Sequence, residues 1–399
     1  MRIDFRSITA FSVLTSTASA GMAVPPGVLD LSTGPLTIAP QPTALSPDGL
    51  TVVGQINEYH NFDPAEGNGF RFRIGTTSVS TLPTMEAASI PAACSGDGSV
   101  IVGTVAYSDA VAAYQAAIWR TGLPQLLDAY SSAYAVSFDG TVVVGAQWTL
   151  PTDDEQAFRW TASTGMVSLG VLPGDTFSAA YGVSADGNVI VGGSSTSSSS
   201  RPFLWTPTSG LQVLGPPDAT TSSRAIACSF DGSVVLIDAE TANGRRAFIW
   251  SAATGFSDLG TVAGFPGTWP TAMSGDGSTV VGILLSGTDT AFLWTQSDGI
   301  RTLSDVTNTY QSFVTPTGVN GDGSVVVVDN SVVVLRSIGC DGDFNQDGRV
   351  TIQDLFDFLD AYLGNCQWSI PSCPHNAFWH APGVNSVYKF LAAWSAGCN

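Results

Sequence analysis

Lysine is almost absent from this chain. Among 399 residues only Lys389 is a lysine, and 14 basic residues stand against 33 acidic ones, a net charge of -19. Such a surface repels phosphate backbones and anionic headgroups, which argues against nucleic acid or a membrane surface as partner. Charge of either sign is sparse, at 12% of residues against 44% apolar. Disorder needs low hydrophobicity with dense charge, so this chain is expected to bury a large core. No apolar run reaches the roughly 18 residues that a membrane helix needs. Catalytic residue types are scarce as well. The histidines are His60, His375 and His380, and the glutamates are Glu58, Glu66, Glu86, Glu155 and Glu240. No Gly-x-Ser-x-Gly elbow, His-Glu-x-x-His helix or Cys/His metal spacing occurs. A carboxylate pair for glycoside cleavage could still be assembled by folding, though no motif announces one.

What is present is a repeat. A small or apolar residue, Ser, any residue, Asp-Gly and a mostly β-branched run return seven times, with Asn in place of Ser in the last copy. The copies begin at Ser46, Ser95, Ser137, Ser184, Ser229, Ser274 and Asn320, and their Asp residues lie 49, 42, 47, 45, 45 and 46 positions apart. A period near 45 with one hairpin signal per copy predicts a blade array rather than a helical solenoid. The fourth unit reads as four short strands: Ala180 to Ser184, Asn188 to Ser194, a third beginning at Phe203-Leu204-Trp205, and Leu211 to Leu214. Four strands in about 45 residues is the size of one propeller blade, and strands this short must be buried against neighbouring units. The seven turn Asp residues have no second and third acid beside them, so they read as turn chemistry rather than metal ligands.

The ends of the array predict how it closes. The seventh unit has Val332 to Arg336 as a third strand and then runs into Cys340 without a fourth. A matching segment, Gly27-Val28-Leu29-Asp30-Leu31, stands at the other end of the chain. An N-terminal strand completing the last unit would remove two exposed edges. Residues 24 to 338 number 315, which is seven units of 45. The expected fold is therefore an all-β, seven-bladed β-propeller followed by a small α-helical calcium-binding module.

Residues 1–23 read as an export signal. Arg2 and Arg6 precede an apolar stretch from Ile8 to Leu14, and Ala18-Ser19-Ala20 is an A-x-A-like cleavage site, with cutting after Ala23 as the alternative. A secreted, extracellular product is expected. Cys94 and Cys228 precede the repeat Ser, where other copies carry Leu45, Val136, Val183, Met273 and Val319, so both are expected in the core as small hydrophobes. Cys340, Cys366, Cys373 and Cys398 crowd the last 60 residues and predict two disulfides there. The bracketing of each half suggests Cys340 with Cys366 and Cys373 with Cys398.

The Asp-Gly hairpin, the strands Ala247-Phe248-Ile249-Trp250 and Ala291-Phe292-Leu293-Trp294, and the endings Leu169-Gly170, Leu214-Gly215 and Leu259-Gly260 resemble HAF-type bacterial extracellular repeats. The resemblance covers roughly residues 24–338 and departs at Gln156 and Arg246, where a His often precedes Ala-Phe. It implies an exported β-rich repeat protein and no particular activity.

The C-terminal segment, residues 340–399, carries the sharpest chemical motif. Calcium wants six to eight oxygens, and a 12-residue loop supplies them from positions 1, 3, 5, 7, 9 and 12. Here those positions hold Asp343, Asn345, Asp347, the Arg349 carbonyl, Thr351 (directly or through water) and Asp354, with Gly348 at the sharp turn. A helix with Leu355, Phe356, Phe358, Leu359, Tyr362 and Leu363 on one face is expected to follow. A second helix signal, at Val387, Phe390, Leu391 and Trp394, makes this segment a duplicated loop-helix unit similar to a type I dockerin. The second copy, around Phe378 to Asn385, has no acidic ligand, so one calcium ion is expected. The resemblance implies a cohesin-like partner, but Ile352 and Gln353 stand where dockerins commonly carry small hydroxyl residues.

Aromatics outside the repeat frame are the remaining candidates for ligand binding. Tyr59, Tyr107 and Trp148 are expected in loops between second and third strands, and Trp269 in a loop between units. Both loop classes should emerge on one face, with the Asp-Gly turns on the other. The functional expectation is a secreted, non-enzymatic propeller that binds an extracellular glycan or protein and carries a calcium-stabilised docking tail. The alternative is an extracellular carbohydrate-active hydrolase or lyase recruited through that tail.

Overall fold

The computed structural model describes residues 27–30, 40–56, 68–74, 79–83, 87–107, 114–149, 154–216, 219–286, 289–303, 315–329 and 331–335. All of these lie in one compact unit, Pro25–Ile338. The proposed ligands Asp343, Asn345, Asp347, Arg349, Thr351 and Asp354, the four C-terminal cysteines, the export signal and Tyr59 lie outside the described residues.

The described residues are all-β. Their strands, numbered along the chain from β1 (Gly27–Asp30), fall into sets of four. The first set is β2 (Pro40–Leu45), β3 (Thr51–Ile56), β4 (Asn68–Arg73) and β5 (Val79–Thr81). The second is β6 (Ala88–Cys94), β7 (Ile101–Ala106), β8 (Tyr114–Trp119) and β9 (Gln125–Ala129). The third is β10 (Ser131–Val136), β11 (Val142–Thr149), β12 (Asp154–Thr161) and β13 (Gly165–Gly170). The fourth is β14 (Phe177–Val183), β15 (Ile190–Ser195), β16 (Ser200–Thr206) and β17 (Gly210–Val213). The fifth is β18 (Ala219–Cys228), β19 (Val234–Thr241), β20 (Gly244–Ser251) and β21 (Gly255–Asp258). The sixth is β22 (Gly267–Met273), β23 (Thr279–Leu285), β24 (Thr290–Thr295) and β25 (Gly299–Thr302). The last contains β26 (Pro316–Val319), β27 (Val325–Val328) and β28 (Ser331–Val334). Each set is an antiparallel meander, and the fourth and fifth are joined by one parallel bridge, Ser200 with Ser222. The expected N-terminal closure is present. β1 pairs with β28, Gly27 opposite Val334 and Asp30 opposite Ser331, and completes a four-stranded sheet in the order β1-β28-β27-β26.

The repeated phrase works as a turn for a definite reason. In the fourth unit the Ser184 hydroxyl accepts from the Val189 N–H at 2.9 Å and donates to Asp186 Oδ1 at 2.7 Å. Asp186 Oδ1 also accepts from the Asn188 N–H at 3.0 Å, and Gly187 takes φ +71°, a value that L side chains resist. Adding a Cβ at Gly187 would bring it to 2.4 Å from a Val142 methyl in the neighbouring set. The Asn in the last copy keeps the essential contact, because Asn320 Oδ1 accepts from the Val325 N–H at 2.9 Å, as the Ser hydroxyls do. Its amide then donates to Ser324 Oγ at 3.0 Å.

The sets are cemented by apolar clusters at their junctions. Between the fifth and sixth lie Leu236, Ala247, Leu259, Met273, Val280 and Phe292. The Phe of the repeated aromatic strand is buried throughout, at Phe70, Phe158, Phe203, Phe248 and Phe292. Four of the five pack over a glycine of the second strand; a Cβ at Gly192, for example, would meet the Phe203 ring at 2.6 Å and the Ala179 carbonyl at 2.0 Å. Polar latches add to this packing. A buried hydroxyl on the first strand of one set accepts the backbone N–H of the set before it: Ser89 from Gly69, Ser131 from Ala116, Ser178 from Ala157 and Thr268 from Ala247. Both core cysteines stand where the repeat placed them, Cys94 buried and Cys228 packed against the cluster of Val191, Ala225 and Val235.

Candidate functional site

The two ends of the inner strands are built differently. At one end the seven turns are linked into a closed circle of backbone hydrogen bonds. The N–H of Asp48 donates to the Gly96 carbonyl at 3.0 Å, that of Gly96 to Phe138 at 2.8 Å, and that of Phe138 to Ala185 at 3.2 Å. Ala185 then donates to Phe230 at 2.8 Å and Phe230 to Gly275 at 2.6 Å. Asp276 donates to Gly321 at 2.9 Å, and Gly321 returns to Pro47 at 2.9 Å. Proline has no N–H, so Asp48 supplies that donor. The rings of Phe138 and Phe230 meet edge to face at 5.4 Å and fill the space over three glycines of the circle. A Cβ at Gly96 would touch the Phe138 ring at 2.5 Å, and one at Gly275 or Gly321 would touch Phe230 at 2.0 or 3.0 Å.

The opposite end carries the chemistry. Arg224, the sixth of ten residues in the fifth set's inner strand β18, lies opposite Asp238 on β19 in the ladder. Asp238 is only 5% exposed and accepts from Arg245 at 2.7 Å (Nε to Oδ1) and 2.5 Å (Nη2 to Oδ2), a bidentate pair. The Arg224 Nε stands 3.4 Å from the same Oδ2. Each arginine then covers an aromatic ring on an adjoining set. Arg245 lies 4.3 Å from the centre of the Trp269 ring, and Arg224 lies 5.8 Å from that of Tyr181. Tyr181 in turn meets Tyr134 at 5.7 Å. The result is a continuous row, Tyr134–Tyr181–Arg224–Asp238–Arg245–Trp269, spanning the third to the sixth sets.

Glu155 flanks the row. It is half-buried at the start of β12, and burial raises its carboxyl above the usual carboxylate range. Burial, with the Glu155 charge next in weight, pushes the Tyr134 phenol up to about 12, and burial raises Tyr181 as well. Both tyrosines therefore stay neutral hydrogen-bonding groups at physiological pH. Asp238 gives Arg245 its strongest support, raising an already basic guanidinium.

Of the aromatics picked out from the sequence, Trp269 belongs to this row. It is not in a loop, however: it lies within β22, opposite Ile283, because this inner strand begins at Gly267. Trp148 is likewise in a strand, near the end of β11, where pairing extends to Thr149. It stands opposite Glu155 and so shares its face of the ladder. Tyr107 follows β7 and packs against the cluster of Val53, Leu82 and Trp119, a core role. Tyr134, Tyr181, Arg224, Asp238 and Arg245 were missed. The available signals were a lone acid inside the apolar run Val235-Leu236-Ile237-Asp238-Ala239 and the adjacent pair Arg245-Arg246. Among the described residues no group of three or more His, Cys, Asp or Glu is arranged to hold a metal ion.

No family model and no curated protein matches the chain. Solved structures do. A prolyl endopeptidase structure matches with a TM-score of 0.54 and 12% identity, over 74% of this chain and 47% of that one. The β-propeller domain of Cps50 (Swd1) from Myceliophteria thermophila matches with a TM-score of 0.52 and 11% identity, over 78% of this chain and 99% of that one. TolB from Acinetobacter baumannii, at a TM-score of 0.45 and 12% identity, is matched over 67% of this chain, which spans 64% of TolB. At such identities the likeness concerns fold alone, and what this chain shares with the first two structures is the β-propeller fold.

Proposed function

We propose that the chain is a closed seven-bladed propeller of HAF-like repeats, exported from the cell, that binds a glycan at the end of the ring remote from the Asp-Gly turns. The observation that carries this reading is the row from Tyr134 to Trp269. Sugars present C–H faces that pack on aromatic rings and hydroxyls that hydrogen-bond to planar charged groups held in place. A buried aspartate locking two arginines over two rings supplies both kinds of contact on one rigid surface. The scarcity of His and Glu favours a binder over an enzyme.

The C-terminal segment is proposed to fold around one calcium ion held by Asp343, Asn345, Asp347, the Arg349 carbonyl, Thr351 and Asp354, and to dock or anchor the propeller, with a cohesin-like protein as one partner class. The support is the spacing of those residues around Gly348. Titration calorimetry of the full chain would read one ion bound, lost in Asp343→Ala; two ions, or none, would refute this part.

The binding reading is tested on a printed glycan array followed by calorimetry. Native protein is expected to bind at least one glycan class, with Trp269→Ala and Asp238→Asn each weakening it about tenfold or more. A carbohydrate-active hydrolase or lyase remains the second reading, favoured by the half-buried Glu155 with its raised pKa beside two tyrosines. Release of reducing ends from a polysaccharide panel, abolished in Glu155→Gln, would establish it in place of the first.

A further inference from the structure

Every inner strand of the propeller carries a one-residue bulge at the same place, between Pro42 and Ala44, Pro91 and Ala93, Ala133 and Ala135, Ala180 and Gly182, Ala225 and Ala227, Pro270 and Ala272, and Pro316 and Gly318. A bulge turns one side chain out of the strand's alternation. The residues so turned are Thr43, Ala92, Tyr134, Tyr181, Ile226, Thr271 and Thr317, and all seven are half-buried. Their contacts run between neighbouring inner strands: Thr43 Oγ1 donates to the Pro91 carbonyl at 2.7 Å, and the Tyr134 ring meets that of Tyr181. All but Ile226, which packs against the junction cluster of Leu236 and Met273, line the inner wall of the ring. Five of the seven bear hydroxyls and none is charged. One hydroxyl, Thr317 Oγ1, is buried without a hydrogen-bond partner, which marks a wall with unused polar capacity.

The two ends of this wall are not equivalent. The closed circle of turns, with Phe138 and Phe230 packed over Gly96, Gly275 and Gly321, stops one end. Arg224 and Trp269 stand at the other, each retaining exposure: Trp269 is 36% exposed and the Arg224 side chain 42%.

We propose that this axial wall is a blind socket that takes the terminus of an uncharged oligosaccharide, not an internal stretch of the chain; the proposal rests on the glycan-binding reading above. A passage stopped at one end cannot be threaded by a polymer. A neutral wall of threonine and tyrosine hydroxyls matches the hydroxyls of a terminal sugar without an ionic partner. The arginines and Trp269 at the mouth then hold the following units.

The test uses calorimetry on the full chain with cello-, xylo- and malto-oligosaccharides in free linear form, the same oligosaccharides with both ends chemically blocked, and cyclodextrins as endless α-glucans. The expected result is binding of at least one linear series, with affinity about tenfold or more lower for its blocked or cyclic form. Ala92→Trp, which fills the wall from a half-buried position, should remove binding while leaving the melting temperature close to native. Asp139→Asn, exposed on the face of the Asp-Gly turns and outside the Phe138–Phe230 pair, should bind as the native protein does. Equal affinity for free and blocked ends would overturn the socket while leaving glycan binding intact. Loss of binding in Asp139→Asn with retention in Ala92→Trp would place the ligand on the turn face and overturn it as well. Absence of binding to every carbohydrate by native protein would defeat the glycan reading itself, and the socket with it.

Discussion

The backbone N–H of Gly321 donates to the carbonyl of Pro47 at 2.9 Å, and this single bond joins the last repeat of the chain to the first. It closes the circle of turns on one side of the junction. On the other side, β1 and β28 close it again by pairing strands from the two ends of the described chain.

Deleting residues 24–33 should therefore expose β28 as an edge. Exposed edges recruit other chains. Light scattering is expected to show association, and calorimetry a lower or less cooperative melt; a monomeric truncation with native melting would show that the strand is dispensable.

The turn hydroxyls are expected to matter more than their size suggests. Ser184 is fully buried, and removing its hydroxyl leaves the Val189 N–H without an acceptor and takes one of its donors from Asp186, which keeps those of Asn188. Ser184→Ala should lose about 1–3 kcal/mol, the cost of an unsatisfied buried donor. Gly187→Ala should be worse, since positive φ and the Val142 contact penalise it together. Urea denaturation of both variants checks the order.

Acid should weaken the ring through the same turns. The Ser184 and Ser229 hydroxyls, above all, hold the carboxyls of Asp186 and Asp231 below the ordinary range, and Ser99 does so for Asp97. A carboxyl whose folded pKa is depressed contributes stability above its unfolded value, about 3.9, that is lost as pH falls through the folded one. Stability should thus be flat near neutrality and fall below about pH 4. The fall should be shallower when Asp97, Asp186 and Asp231 are all changed to Asn, as denaturation curves at several pH values would show.

The two core thiols should be inert. Burial, chiefly, pushes both Cys94 and Cys228 up to about 12, so neither forms thiolate at neutral pH. Native protein is expected to leave both unmodified by a disulfide-exchange reagent, with reaction appearing only on unfolding. Rapid labelling of either residue, found by peptide mapping, would contradict this.

The fold was legible because its signals are local and repeated. Seven Ser/Asn-x-Asp-Gly turns each specify a hairpin through contacts within six residues, and the missing strand after Arg336 pointed to the segment from Gly27 to Leu31, of which Gly27–Asp30 forms β1. The row at the open end was not legible, because Arg224, Asp238 and Trp269 are brought together by strands from different sets, and no fixed spacing links them. Trp148 and Trp269 were misplaced into loops for a related reason: the repeat frame marks where a turn ends but not how far pairing runs beyond it. Ala92 and Thr43 gave no hint of lining the wall, since a bulge leaves no mark in the residue that occupies it.

The bulges also separate two demands on the repeat. Residues on either side of each bulge are Ala, Pro or Gly, small or stiff, because they face packed neighbours. The bulged residue itself is Thr, Ala, Tyr or Ile, a wider choice, although Ile226 packs into a junction cluster and Thr43 bonds the Pro91 carbonyl. Bulged positions therefore admit more variety than the frame that holds them, and all but Ile226 add a side chain to a common surface. A protein engineer would find there a combinatorial interior with a fixed frame. Divergence of this chain into new specificities would fall first on Thr43, Ala92, Tyr134, Tyr181, Thr271 and Thr317, with every turn and ladder left as it stands.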